Sequence, residues 1–350
     1  MNLQIRPDYP YVLFKLPGSK KFYFLIQKNQ KTYRAADFNM PGFYMAPFDL
    51  DRHPVYIIPL AHARFSSHDL PVRTTEKLHI NPEPISSPSP GSHEKKVARA
   101  IEHIRSDDQL KKIVISSYQD YNFDRMDPVK FFFRLAETHP EAFVFYWHHP
   151  SAGFSWAGAS PEPLFSFTKN PDTSFYHAET VSLAGTKFSD ENRNWTPKEI
   201  EEQKIVTDYI KQKLFELKLA VSSYGPYDFA QAHLIHLKTD LSFIFPDEND
   251  FINQIIRALH PTPAVAGMTK EAALKIIPGI ENYDREYYTG FFGFRQSDKG
   301  LFHVNLRSAR ITPHRLRLYA GGGITQESLP AQEWQEVQRK WDVIKKIFTS

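Results

Sequence analysis

The chain has 350 residues, 41% of them hydrophobic and 14% aromatic, with 43 Lys and Arg against 40 Asp and Glu and no cysteine. That much apolar material excludes a wholly disordered chain, and a formal charge of +3 excludes a nucleic-acid binder working by bulk phosphate neutralisation. The lack of cysteine excludes disulfides, thiolate catalysis, iron–sulfur clusters and Cys-ligated zinc, and no stretch reaches the roughly 20 apolar residues of a membrane helix.

The first 80 residues alternate turns with short aromatic and β-branched runs, Tyr11–Leu16, Lys21–Gln27 and Val55–Pro59, which predict strands. Residues 82–92 are rich in Pro and Ser and read as a linker. Helical periodicity follows over Glu94–Arg105, then a buried strand from Lys112 and a helix over Pro128–His139. Strands are predicted at Phe143–Trp147, Leu164–Thr168 and Ala178–Leu183, and a long helix over Pro197–Leu217. Asn249–Leu259 and Lys270–Ile277 read as helices, and Phe291–Phe294, Leu301–Leu306 and Arg315–Ala320 as strands. Pro330–Phe348 closes the chain as a helix, with Pro330 suited to its first turn. Strands cluster rather than alternate strictly with helices, so the expected class is α+β or mixed α/β. The first residues show no secretion signal, and the expected setting is cytoplasmic, with no membrane or nucleic-acid partner.

The two long predicted helices each carry a Glu-x-x-Glu pair, Glu199 with Glu202 and Glu333 with Glu336, and Lys340 follows one turn on. On a helix such residues share a face, and both pairs border apolar stripes, Val206, Ile210 and Leu217 in one helix and Trp334, Val337, Trp341, Ile344 and Phe348 in the other. Carboxylates crowded at a core edge repel unless a cation lies between them, and Mg²⁺ suits an all-oxygen set. From spacing alone, a solvated face with acids near the helix start accounts for the same pattern. Ala320-Gly-Gly-Gly-Ile324 follows a strand and reads as a turn whose N–H groups could meet a carboxylate. It matches neither the phosphate-loop nor the dinucleotide pattern. His260-Pro-Thr262-Pro-Ala264 reads as a rigid loop presenting polar groups, or simply as a helix stop. Gly158–Glu162 and Leu183–Lys187 read as turns at strand ends. Gly153–Ala157 misses the serine-hydrolase elbow by its last glycine, and the pair His233 and His236 lacks a His-Glu-x-x-His context.

In chain order, Lys112-Ile-Val-Ile-Ser, Gly-Ala-Ser-Pro-Glu162, Leu-Ala-Gly-Thr186, Glu199-x-x-Glu202, His260-Pro-Thr-Pro-Ala, Asp284-Arg-x-x-Tyr288-x-Gly, Asn-Leu-Arg307-Ser, Gly321-Gly-Gly-Ile and Glu333-x-x-Glu336-x-x-x-Lys340 resemble the chorismate-utilising enzymes. The resemblance covers residues 94–348 and implies a single large domain of two packed β-sheets with helices outside. Residues 1–93 would be a strand-rich part of the same fold ending in the linker, and 94–350 the chorismate-binding catalytic region. It further implies Mg²⁺ held by Glu202 and Glu336, with Glu199 and Glu333 nearby through water. Gly321, Gly323 and Lys340 would hold the ring carboxylate of chorismate, Arg307 and Tyr288 the enolpyruvyl carboxylate, and Thr186, His260, Thr262 and Ala264 the ring. Lys112 would be the general base for water and Glu162 the general acid. A lysine at position 112 and an alanine at position 184 resemble the isochorismate synthases of menaquinone or siderophore biosynthesis, rather than the ammonia-using anthranilate or the aminodeoxychorismate enzymes. Salicylate synthases share the same set, and a non-catalytic chorismate-binding homologue is the alternative of another class. A basic lysine is best served by burial and a cationic neighbour. Departures from the family pattern are Ser117, Met268-Thr269 and the middle glycine, Gly322, where the pattern has alanine.

Overall fold

Turn-bounded aromatic runs at the N-terminus pair as strands, and the pairing extends along nearly the whole chain. The computed structural model describes residues 3–71, 83–123, 126–191, 193–231, 234–248 and 250–349. The strands are β1 (Tyr11–Lys15), β2 (Lys21–Gln27), β3 (Gly42–Ala46), β4 (Tyr56–Pro59), β5 (Ala63–Asp69), β6 (Lys112–Asn122), β7 (Phe143–His149), β8 (Phe154–Ser160) and β9 (Pro163–Lys169). They continue as β10 (Phe175–Phe188), β11 (Val221–Gln231), β12 (Leu234–Pro246), β13 (Gly267–Met268), β14 (Phe291–Arg295), β15 (Lys299–Val304), β16 (Ser308–Ile311) and β17 (Arg315–Ile324). Among the described residues six α-helices accompany them: α1 (Pro90–Ser106), α2 (Pro128–Thr138), α3 (Pro197–Glu216), α4 (Phe251–Leu259), α5 (Lys270–Glu281) and α6 (Pro330–Thr349).

Among the described residues the strands form two sheets. One runs β13-β6-β17-β16-β8-β7-β1-β2-β5 and the other β11-β12-β10-β9-β15-β14-β3-β4. The strands before residue 70 divide between them: β1 pairs with β7 in the first sheet, and β3 with β14 in the second. Between the sheets lies an aromatic layer that includes Phe14, Phe43, Phe143, Phe145, Trp147 and Phe292. Helices α2 and α6 cover the outer face of the first sheet through Phe131, Phe132, Trp334 and Val337. Helices α3 and α4 cover the second through Val206, Ile210, Ile255 and Ile256, while α1 and α5 pack over the β6 end. The expected two packed sheets with helices outside are what the chain adopts. No helix among the described residues is long and apolar enough to cross a membrane.

The helix starts follow their chemistry. Asp127 accepts hydrogen bonds from the Val129 and Lys130 N–H groups ahead of Pro128, and Ser89 accepts from the Ser92 N–H ahead of Pro90, each satisfying orphan donors of a first turn. The predicted linker is therefore shorter than expected. Its last residues, Pro90–Ser92, are the first turn of α1, and Pro82 lies outside the described residues, as do His233 and Asn249. Three predicted turns are wholly or partly strand instead, and the first, Gly158–Glu162, has Gly158–Ser160 at the end of β8. Leu183–Lys187 lies within β10, which carries a bulge between Ala184 and Thr186. There Gly185 adopts φ +69° and its missing Cβ leaves room for the Glu199 carbonyl, 3.0 Å from where that Cβ would stand, so the bulge seats the start of α3. The Gly321–Gly323 run lies within β17, paired with β6 from Ser116 to Val114.

Candidate functional site

The glycines of β17 are explained by what crowds against them. A Cβ on Gly323 would stand 2.5 Å from Glu202 Oε1 and 2.6 Å from Lys112 Cε, and one on Gly322 would stand 3.3 Å from Glu333 Oε2 and 3.7 Å from Glu336 Oε1. The expected turn with converging N–H groups is absent. What the glycines supply is space for three carboxylates to close on one strand. These groups border a cavity of about 500 Å³ whose lining also includes Glu162, Thr186, His236, Tyr288, Arg307 and Lys340.

Each carboxylate is matched by a cation. Lys112 Nζ lies 2.7 Å from Glu202 Oε1, Lys198 Nζ 2.6 Å from Glu333 Oε1, and Lys340 Nζ 2.7 Å from Glu336 Oε1. Lys340 also donates to the Gly321 carbonyl at 3.0 Å. Burial opposes the charged form of Lys340, but Glu336 outweighs it and holds the ammonium above its usual range. Burial and the neighbouring Glu336 push the Glu333 carboxyl up against the pull of Lys198. Glu336 is driven the other way: burial disfavours its charge, and Lys340 overcomes that.

The expected equivalence of the outer glutamates does not hold. Glu199 closes a capping box with Thr196, accepting from its N–H at 2.8 Å and its hydroxyl at 2.9 Å. Arg193 grips both its oxygens, at 2.6 and 2.9 Å. Burial works against ionisation of Glu199, yet these bonds hold it below the usual carboxylate range. Glu333 Oε2, by contrast, is buried without a hydrogen-bond partner. An oxygen in that state, beside Glu202 and Glu336, fits a hard cation. No three acidic or His groups among the described residues stand together as a ready metal cage; ammonium groups hold the near positions.

Lys112 is fully buried in β6. The cationic neighbour expected beside it is not there, because the adjacent group is the Glu202 carboxylate. Glu162 follows β8, where its carbonyl accepts from the Val304 N–H at 3.0 Å. Burial pushes the Glu162 carboxyl up to about 7, although Lys112 and Arg307 pull it down. Burial likewise lowers the Arg307 guanidinium to about 10, with Glu162 drawing it back. The Tyr288 ring stacks on Tyr319, centroids 4.6 Å apart. Thr186 Oγ1 and the Gly185 carbonyl each lie 3.2 Å from His236 Nδ1, and burial keeps that imidazole neutral, its pKa about 4.

Of the residues expected in the site, Glu162, Thr186, Glu199, Glu202, Ala264, Tyr288, Arg307, Gly321, Gly323, Glu333, Glu336 and Lys340 line the cavity. Lys112 stands behind Gly323. His260 and Thr262 are not in the lining: the His260 ring is buried against the N-terminal segment, its Nε2 at 3.0 Å from the Pro47 carbonyl and 3.1 Å from that of Phe48. Sequence reasoning missed Arg193, Lys198, Glu191, Arg339 and His236. Arg193 and Lys198 stand just before the Glu-x-x-Glu pair, a place where cations are a usable signal. His236 lies in a strand that the sequence reading did not predict.

A family model described as chorismate binding enzyme matches residues 59–349. The isochorismate synthase MenF of Haemophilus influenzae is 30% identical over 258 residues, covering 70% of this chain and 57% of that protein. The isochorismate synthase EntC of Escherichia coli is 29% identical over 315 residues, covering 86% and 79%. The solved menaquinone-specific isochorismate synthase MenF of Escherichia coli shares the fold, with TM-score 0.76 at 19% identity over 98% of this chain and 90% of that one. The chain spans about half the length of several curated relatives, between 49% and 57%.

Proposed function

We propose that this chain, which belongs to the chorismate-binding enzyme family, is an isochorismate synthase acting in the cytoplasm with Mg²⁺ on chorismate. Its ring carbon 2 takes up water while carbon 4 loses its hydroxyl, so the net change is an isomerisation. The observation that carries this reading is one buried carboxyl, Glu162, whose pKa of about 7 keeps it protonated in part at neutral pH, in a cavity backed by the buried amine of Lys112. A group poised near the working pH is a competent acid. Names of relatives support the same product over salicylate.

In this mechanism neutral Lys112 takes a proton from the water whose oxygen bonds to carbon 2. The ring double bond shifts, the carbon 4–oxygen bond breaks, and Glu162 protonates the departing hydroxyl so that it leaves as water. Arg307, with Tyr288, holds the enolpyruvyl carboxylate, the guanidinium through its planar fork. Glu202 and Glu336, with Glu333 beside them, would hold Mg²⁺, which supplies a Lewis acid and a template for the ring carboxylate. Lys340 and the backbone near Gly321 and Gly323 would orient that carboxylate. Glu199, already occupied by Arg193 and Thr196, braces α3.

Incubation with chorismate and Mg²⁺ followed by product identification tests the assignment. Isochorismate is the expected product. Salicylate with pyruvate, an aminated product when ammonia is supplied, or retained binding without turnover would each overturn it.

A further inference from the structure

Three carboxylates and three ammonium groups meet at Gly322 and Gly323: Glu202 with Lys112, Glu333 with Lys198, Glu336 with Lys340. Lys112 and Lys340 already have roles on base and substrate. Lys198 has none, yet like Lys340 it feels all three carboxylates. Its ammonium bonds Glu333 and is held above its usual range, where burial is outweighed by Glu333, Glu336 and Glu202 together. It projects from the first turn of α3, a position the helix dipole makes unfavourable for a cation. Arg193 and Arg339 are near but bonded to Glu191 and Glu199.

The geometry points to Lys198 as a resident counter-ion that competes with the divalent cation for Glu333, so that metal binding depends on the arrival of an anionic substrate. The charge balance gives the reason. With Lys112 neutral as the base and Glu162 protonated as the acid, the three carboxylates face Lys198, Lys340 and Arg307, so the set is neutral and a divalent cation alone would leave it doubly positive in a buried site. A ligand with two carboxylates restores neutrality, so cation and dianion each strengthen the binding of the other, reciprocally. The divalent cation and the identity of the dianion rest on the proposed function.

Removing one positive charge at this site should tighten Mg²⁺ binding about tenfold or more in the absence of substrate. Calorimetric titration of the metal-free protein with Mg²⁺ alone reads this directly for wild type, Lys198→Met and Lys198→Arg. The Met variant should bind more tightly and the Arg variant should stay near wild type. Without metal, Lys198→Met should melt below wild type, and Mg²⁺ should recover more of that loss than it adds to wild type. Lys198→Gln repeats the measurement with a polar side chain. An unchanged or weaker Mg²⁺ affinity in Lys198→Met overturns the inference. So does a melting loss that is the same with and without Mg²⁺, because a residue that merely braced the helix would behave that way. Titration needs no turnover: a chain that fails to convert chorismate but shows tightened binding loses the proposed function and keeps the counter-ion.

Discussion

Helices α3 and α6 present the same four-residue spacing to the cavity, and their inner glutamates both meet lysine. The outer ones part company. In α3, Glu199 is consumed by its own helix, capping the first turn and bonded at both oxygens. In α6, Glu333 keeps one buried oxygen with no partner and sits beside Glu336 at an electrostatic cost. Identical letters thus hold opposite positions: one is fully satisfied by hydrogen bonds, the other is paired on one oxygen and bare on the next. The difference comes from Thr196 and Arg193, which lie outside the repeated pattern.

The sharpest challenge to this contrast comes from the groups on which both helices converge. Lys112→Gln should lower turnover by ~10²–10⁴-fold with chorismate affinity little changed, since a base acts in the transition state; near wild-type rates would place the base elsewhere. Glu202→Gln and Glu336→Gln should each cost more than the ~10–100-fold typical of outer partners of a metal site, measured as rate at saturating Mg²⁺. Glu333→Gln should weaken Mg²⁺ binding by about tenfold while leaving the metal-free melting temperature unchanged or higher, because the folded protein disfavours that charge. Glu199→Gln should reverse the pattern, with stability down by about 1 kcal/mol and metal affinity close to wild type. If Glu199→Gln and Glu333→Gln matched in both measurements, the division between the two helices would be wrong.

Two pH dependences sharpen the same point. In its proposed role Glu162 must be protonated, and its pKa is raised to about 7, so the rate should fall as pH rises through that value, and the residual rate of Glu162→Gln should lack that limb. Glu199 is lowered relative to its unfolded value. Its stabilising contribution is present above the ordinary carboxylate range and is lost as pH falls through the folded pKa. The melting difference between wild type and Glu199→Gln should therefore close in acid.

Long periodic helices and strongly apolar strands were legible in the sequence, and so were Glu162, Glu202, Arg307, Glu333, Glu336 and Lys340 of the lining, because each belongs to a contiguous motif. Two of the strands that escaped carry residues that read as turns. β11 carries Gly225-Pro226 between Tyr224 and Tyr227, where its register with β12 shifts, so a bulge reads as a turn. β8 ends in Ala-Gly-Ala-Ser, small residues that fit a crowded sheet yet carry little strand signal. The glycines of β17 misled in the same way. Their identity is set by side chains arriving from β6, α3 and α6, and no local rule contains that information. His260 sits in a motif like the others, but its ring turns toward Pro47 and Phe48, a segment more than two hundred residues away in sequence.

The division of β1 and β3 between the two sheets has a consequence for cutting the chain. The match to the family model begins at residue 59, but cooperativity does not. A fragment beginning there would strip β7 of β1 and β14 of β3, bare two rows of backbone donors and acceptors, and remove Phe14 and Phe43 from between Phe143, Phe292 and Phe294. Such edges recruit other chains. The expected behaviour of that fragment is aggregation rather than a smaller enzyme.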